Sequence, residues 1–125
     1  MPHNGIMASI KFPEGTTYRV PITLNNEAGT PIDLNGAQVK FAVYPVGSSF
    51  KGVVIPFLYK TLGSGIILVD ALTGGIRIEF SPSETIDKAG TYDWEMELDE
   101  ANGDIWQAGT GKLIISPARR LDASD

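Results

Sequence analysis

The chain has 125 residues, a formal net charge of −5 and 42% hydrophobic residues, and it contains no cysteine. This length and composition predict one folded domain that buries a core without metal or disulfide crosslinks, and they exclude a disordered chain. The lack of cysteine excludes a disulfide framework, a thiolate zinc site and a cysteine nucleophile, and the negative charge argues against a nucleic-acid-binding surface.

Three strands are predicted in the first half of the chain, at residues 6–12, 17–24 and 38–44. Apolar and polar side chains alternate along the second and third of them, as in a strand with one buried face. Pro21 lies within the second strand and has no amide hydrogen to donate to a sheet ladder. We therefore place this position at a sheet edge or at a bulge.

Residues 46–65 have two interpretations. Glycine and serine residues at the start of the segment indicate a loop, whereas the residues on both sides of Pro56 are apolar and rich in β-formers. The apolar part is either a buried crossing strand or a contact surface for a partner. In the second interpretation, the candidate protein interface consists of Val53, Val54, Ile55, Phe57, Leu58 and Tyr59.

The second half of the chain begins with predicted strands at residues 66–69 and 75–80. Ser81, Pro82 and Glu84 then have the spacing of a capping box, which predicts a short helical turn. The last strand is predicted in two parts, residues 105–108 and 112–115, with an interruption at the glycines between them. A bulge or bend is the expected role of these glycines.

The strongest pattern in the chain lies at residues 91–98, where large apolar side chains alternate with acidic ones. This period of two predicts a half-buried strand, since a helix would mix the two kinds of side chain around its surface. Tyr92 stands at the start of this strand, where a tyrosine-corner hydroxyl bonds back to the preceding crossover. An ordinary core tyrosine is the alternative interpretation.

Together these elements predict an all-β fold, an immunoglobulin-like antiparallel β-sandwich of about seven to nine strands with one short helical turn. Residues 1–125 form one domain in this prediction, with a core at 6–116 and a polar tail at 117–125. Residues 1–5 lack the basic and apolar parts of a signal peptide, and the apolar run at 53–59 is too short to span a bilayer. We expect a soluble protein without membrane insertion.

The charge is distributed unevenly along the chain. Residues 1–62 contain five Lys or Arg against three Asp or Glu, whereas residues 63–125 contain five against twelve. This asymmetry favours either head-to-tail contacts between copies or a solvated acidic face on the later strands.

No pattern in the chain predicts an enzyme. The one histidine, His3, lies in a terminus expected to fray, so a hydrolase triad would have no base. The glycines before Lys112 do not form a phosphate loop, because Trp106 stands where that motif requires glycine. The oxygen-rich turn at residues 99–104 contains possible calcium ligands, but an Asn-Gly hairpin explains it without an ion. We predict no catalytic residues, no cofactor and no metal.

Aromatic side chains suggest a second function, carbohydrate binding at a host-cell surface. The residues available for a sugar-binding platform are Tyr44, Phe57, Tyr59 and Trp106, which are equally consistent with core or interface positions. The candidate glycan contacts in this alternative are Tyr59 and Trp106.

Five stretches of the sequence carry a family resemblance, namely residues 14–18, 29–36, 75–85, 89–94 and 102–103. With them the chain resembles the immunoglobulin-like β-sandwich modules of tailed-phage virions, such as the N-terminal domain of phage baseplate upper proteins. The similarity covers residues 12–116 and consists mainly of turn and core positions. The chain departs from the usual Arg-Gly-Asp-Thr start of that family, and its segment 46–65 is longer than usual.

The resemblance implies a non-enzymatic virion structural protein that acts through protein–protein contacts. It would be a tail or baseplate adaptor or a capsid decoration subunit, assembled in the host cytoplasm and incorporated into the virion. Its expected partners are other virion proteins, with the chain itself present as a homo-oligomer or in multiple symmetric copies. Such modules commonly precede a stalk or a receptor-binding domain, whereas this sequence stops at Asp125. We therefore expect a free-standing module, which resembles an adaptor or decoration subunit more than a complete host-binding fibre.

Overall fold

The computed structural model describes residues 6–26, 28–46 and 56–118. The segments in which apolar and polar residues alternate form β-strands. One single-turn helix lies between the sixth and seventh strands. The all-β prediction is confirmed. The elements in chain order are β1 (Ile6–Pro13), β2 (Tyr18–Thr23), β3 (Gln38–Pro45), β4 (Leu58–Leu62), β5 (Gly65–Asp70), β6 (Gly75–Phe80), α1 (Pro82–Thr85), β7 (Gly90–Asp99) and β8 (Ile105–Ser116).

The strands lie in the order β1-β8-β7-β3-β4-β5-β6-β2, so β1 and β2 are the two edges. Pro21 is therefore on an edge strand, as predicted. The pairing is mixed and not wholly antiparallel as predicted, because β1 runs parallel to β8. A parallel neighbour requires a long connection, and here the rest of the domain provides it. β4 and β5 pair at two positions, Thr61 with Gly65 and Leu62 with Ile66.

The sheet folds over between β3 and β6, which is shown by ring contacts between strands that are not neighbours in the sheet. The Phe80 ring on β6 lies 4.9 Å from Phe12 on β1 and 6.1 Å from Phe41 on β3, measured between centroids. Two layers therefore face each other. We call β1, β8, β7, β3 and β4 the front layer, and β5, β6 and β2 the back layer.

The core between the layers is formed by alternate residues of each strand. On β7, Trp94, Met96 and Leu98 are at most 1% exposed, whereas the acidic residues between them are half-buried on the outer face. The predicted half-buried strand is confirmed. The other side chains below 2% exposure include Leu34, Phe41, Ile66, Ile76, Ile78, Phe80, Leu113 and Ile115.

The crossover between β6 and β7 has both of its predicted local features. The Ser81 amide donates to Glu84 Oε1 at 2.9 Å, which is one half of the capping box. The Tyr92 hydroxyl donates to the Lys88 carbonyl oxygen at 2.8 Å, so it reaches back to the crossover as a tyrosine-corner hydroxyl does. The first bond closes the start of α1, and the second connects the loop after α1 to the start of β7.

The last strand differs from the prediction, because β8 is continuous through its glycines. Met96 on β7 pairs with Gly109, and the next residue, Glu97, pairs with Gln107, so Ala108 is the extra residue of a bulge. Gly111 pairs with Trp94. A glycine in this position leaves space beside the large Trp94 side chain, and the ladder with β7 is kept on both sides of it. Within the described ranges, no helix is long and apolar enough to cross a membrane.

Candidate functional site

A groove of about 350 Å³ lies on the outer face of the front layer, with Ala42 among its lining residues. Ala42 on β3 pairs with Tyr59 on β4 and with Glu95 on β7. Because side chains two positions apart share a strand face, Lys40 and Tyr44 flank Ala42 along β3. The alanine is short and 8% exposed, so its larger neighbours form the walls. We call this feature the Ala42 groove.

One end of the Ala42 groove carries an ion-paired trio of side chains. Lys40 Nζ lies 2.9 Å from Asp99 Oδ2 and 3.4 Å from Glu97 Oε2. A hydrogen bond with Asp99 raises the pKa of Glu97, and burial and the Asp99 charge act in the same direction. The same hydrogen bond, together with Lys40, lowers the pKa of Asp99. The two carboxyl groups therefore differ in proton affinity although they lie on one strand.

These opposite shifts predict a separation that carboxyl-carbon NMR can measure. Glu97 is expected to titrate above an ordinary glutamate and Asp99 below an ordinary aspartate, and Lys40→Met should raise the pKa of both groups by removing the ammonium beside them. Because its pKa is lowered in the folded protein, Asp99 stabilises the folded state above its unfolded-state pKa. This contribution to the free energy of unfolding is lost as pH falls through the folded-state pKa. Because its pKa is raised in the folded protein, Glu97 stabilises the folded state below its unfolded-state pKa. This contribution is lost as pH rises through the folded-state pKa. Identical titrations with and without Lys40 would contradict this arrangement.

Glu95 differs from the other acidic residues of β7. Asp93 pairs with Lys112, while Glu97 and Asp99 pair with Lys40. Within the part of the chain that the structure describes, Glu95 makes no ion pair. Burial is the main cause that raises the pKa of Tyr44, and the charge of Glu95 adds to it. The groove therefore contains an aromatic wall beside a carboxylate that forms no ion pair among the described residues, since the nearby Lys40 pairs with Glu97 and Asp99.

The structure describes three of the six residues of the predicted protein interface. Val53, Val54 and Ile55 lie outside the described residues. Phe57 stacks on Tyr92 with ring centroids 4.7 Å apart, and Leu58 packs against the core. Tyr59 is the most exposed of the three described members, at 56%, and it lines the Ala42 groove.

The two predicted glycan contacts do not share a surface. Trp106 pairs with Leu98, which is fully buried, and Trp106 itself packs against the core from the inner face. Tyr59 lies on the outer face of the same layer. The structure instead brings Tyr59 together with Tyr44, which the sequence offers as a further aromatic residue.

Sequence reasoning missed Lys40, Ala42, Glu95 and Gln107 as members of one site. The available signal was the alternation of Lys40, Ala42 and Tyr44 with buried residues of β3, which places a small side chain between two long ones. That pattern does not say which residues of β4 and β7 stand opposite. The register of the sheet supplies this information.

The turn after β7 is held by hydrogen bonds among its own groups. The Asp104 amide donates to Asn102 Oδ1 at 2.9 Å, and the Glu100 amide donates to the Asp104 carbonyl oxygen at 2.8 Å. In the described ranges, no three His, Cys, Asp or Glu side chains are grouped as a metal site would require. The hydrogen-bonded hairpin accounts for the polar composition of this turn.

A scan against models of known protein families finds no match to this chain, and a search of curated proteins finds none either.

Proposed function

We propose that this chain is a non-enzymatic structural protein of a tailed-phage virion, acting through protein–protein contacts in the tail, the baseplate or the capsid surface. The proposal starts from the resemblance of residues 12–116 to virion modules. The observation that carries it furthest is the Tyr92 bond to Lys88, because Tyr92 belongs to one of the five stretches on which that resemblance depends.

An immunoglobulin-like fold is the first part of this proposal, and the strand order supports it. In such folds, strands C, F and G form one sheet, extended in variable-type domains by C′, while B, E and D belong to the other. The series β8-β7-β3-β4 matches G-F-C-C′, and β5-β6-β2 matches D-E-B. Tyr92 then stands at the start of strand F, which is the position of a tyrosine corner.

In the proposed role, the protein contacts its partners through exposed strand edges and side chains and catalyses no reaction. β1 and β2 each pair along one side, so their other sides offer backbone groups to a neighbour. Tyr59 adds a large, half-exposed aromatic side chain next to the Ala42 groove, and aromatic residues of this kind are enriched at protein interfaces. The acidic residues of β7 keep the outer face soluble before assembly.

Purified virus particles provide the direct test. An antibody raised against the isolated chain is expected to label one structural region of the particle in electron micrographs, and quantitative mass spectrometry should give a copy number that fits the symmetry of that region. Absence of the chain from purified particles would refute the proposed function.

The proposed contact segment can be tested separately. Tyr59→Asp and Val54→Asp are expected to reduce incorporation into particles at least about tenfold, since a desolvated charge in an interface costs several kcal/mol. Leu72→Asp is the matched control, because Leu72 is 69% exposed on a turn of the back layer. All three proteins should keep the wild-type melting temperature. Normal incorporation of Tyr59→Asp and Val54→Asp would remove residues 53–59 from the interface.

A further inference from the structure

We propose that the Ala42 groove binds the charged end of a lysine or arginine side chain from a protein partner, with Glu95 as the counter-ion and Tyr44 and Tyr59 as walls. This inference rests on the proposed function, since it names the chemistry by which a virion partner is recognised.

The shape of the groove fits one extended side chain. Tyr59 and Glu95 flank Ala42 on the two neighbouring strands. Adjacent strands lie about 4.8 Å apart, so the backbones of these two flanking strands are separated by roughly 10 Å across the short alanine. An aliphatic stem can lie along that floor, and its charged end then comes beside the carboxylate.

The charges favour a cationic ligand. β7 presents Asp93, Glu95, Glu97 and Asp99 on this face. Lys112 and Lys40 already pair with three of them, and Glu95 is the acid of β7 that has no such partner among the described residues. A cation bound at Glu95 therefore completes the pattern of ion pairs along the strand. A neutral sugar can hydrogen-bond to a carboxylate but brings no charge to balance it.

The aromatic walls add to this preference. Lysine and arginine are attracted to the electron-rich face of a tyrosine ring, and the attraction is stronger where the contact is desolvated. Arginine also stacks its planar guanidinium group on aromatic rings and forms paired hydrogen bonds with carboxylates. Gln107 provides an amide oxygen at the same groove, which accepts a further hydrogen bond from such a group.

The test is a titration of the full chain followed by amide NMR. The probes are acetyl-Gly-Arg-Gly-amide, the matching lysine peptide, and a citrulline peptide, which keeps the shape of arginine without its charge. We expect both basic peptides to shift the amides of Ala42, Tyr59, Glu95 and Gln107 with millimolar affinity, and the citrulline peptide to bind at least about fivefold more weakly. Raising the salt concentration should weaken the binding further.

Two variants connect the binding to the proposed residues. Glu95→Gln is expected to weaken the arginine peptide about five- to tenfold, and Tyr59→Ala should weaken it at least about threefold. Glu14→Gln makes the same change of charge in the turn between β1 and β2, away from the groove, and should leave the affinity unchanged. Dispersed wild-type-like spectra establish that each variant is folded.

Equal binding of the arginine and citrulline peptides, an unchanged affinity of Glu95→Gln, or the absence of shifts at the groove would each overturn the inference. Stronger shifts at the same amides with maltotriose would identify a sugar site and would overturn it as well. None of these results depends on particle assembly, so the groove can fail this test while the chain is still found in virions.

Discussion

Replacing Phe80 with alanine is expected to lower the free energy of unfolding by about 3–5 kcal/mol, the usual cost of removing a buried phenylalanine. Phe80 is 1% exposed and its ring contacts both Phe12 and Phe41. It also lies under the Lys60 ammonium, which is 5.3 Å from the ring centroid. The substitution therefore opens a cavity where the two layers meet and removes the aromatic neighbour of a buried cation.

Urea denaturation monitored by tryptophan fluorescence gives this value directly. Tyr59→Ala serves as the control, since an exposed side chain of similar size should change the stability by no more than about 0.5 kcal/mol. Phe80→Leu, which leaves most of the volume filled, should fall between the two. A loss below about 1 kcal/mol for Phe80→Ala would mean that the layers do not depend on this ring.

The second large effect is expected at the ion pair between Lys60 and Glu84. The Lys60 side chain is 5% exposed and its Nζ lies 2.7 Å from Glu84 Oε2. Glu84→Gln keeps an oxygen for the Ser81 amide but leaves the ammonium without its anion. Uncompensated buried charges cost about 3–5 kcal/mol, and because the Glu84 side chain is 29% exposed we expect about 2–4 kcal/mol here.

A double-mutant cycle isolates the charge from the helix cap. Lys60→Met preserves the long apolar stem and removes the charge, so in this background Glu84→Gln should cost less than about 1 kcal/mol. Unfolding free energies of the four proteins give the coupling energy. An equal cost of Glu84→Gln in both backgrounds would assign its whole effect to the cap, and the ion pair would then contribute nothing.

The features predicted from sequence are those encoded by neighbouring residues. The alternation around Trp94 determines which face of β7 is buried, whatever strand lies beside it. Pro21 indicates an edge because its own backbone nitrogen has no hydrogen to donate. Tyr92 reaches an oxygen only four residues earlier, at Lys88, so its bond is also local.

Other features depend on which strands meet, and single-sequence patterns do not contain that information. Lys60 is a cationic residue beside an apolar run, yet its pairing with Phe41 turns it into the core, where Glu84 from α1 neutralises it. The Ala42 groove likewise requires β4 and β7 to lie on opposite sides of β3 in one particular register. A shift of one residue would turn every one of these side chains to the other face.

The parallel pairing of β1 with β8 has a consequence for biosynthesis. Ile6 is aligned with Gly109 and Pro13 with Ser116. Since β1 is synthesised before β8, it can form this pairing only after β8 has been synthesised. Translation proceeds at about 5–20 residues per second, which leaves the early segment without its sheet neighbour for several seconds. The front layer is thus completed only after β8 has been synthesised and has left the ribosome.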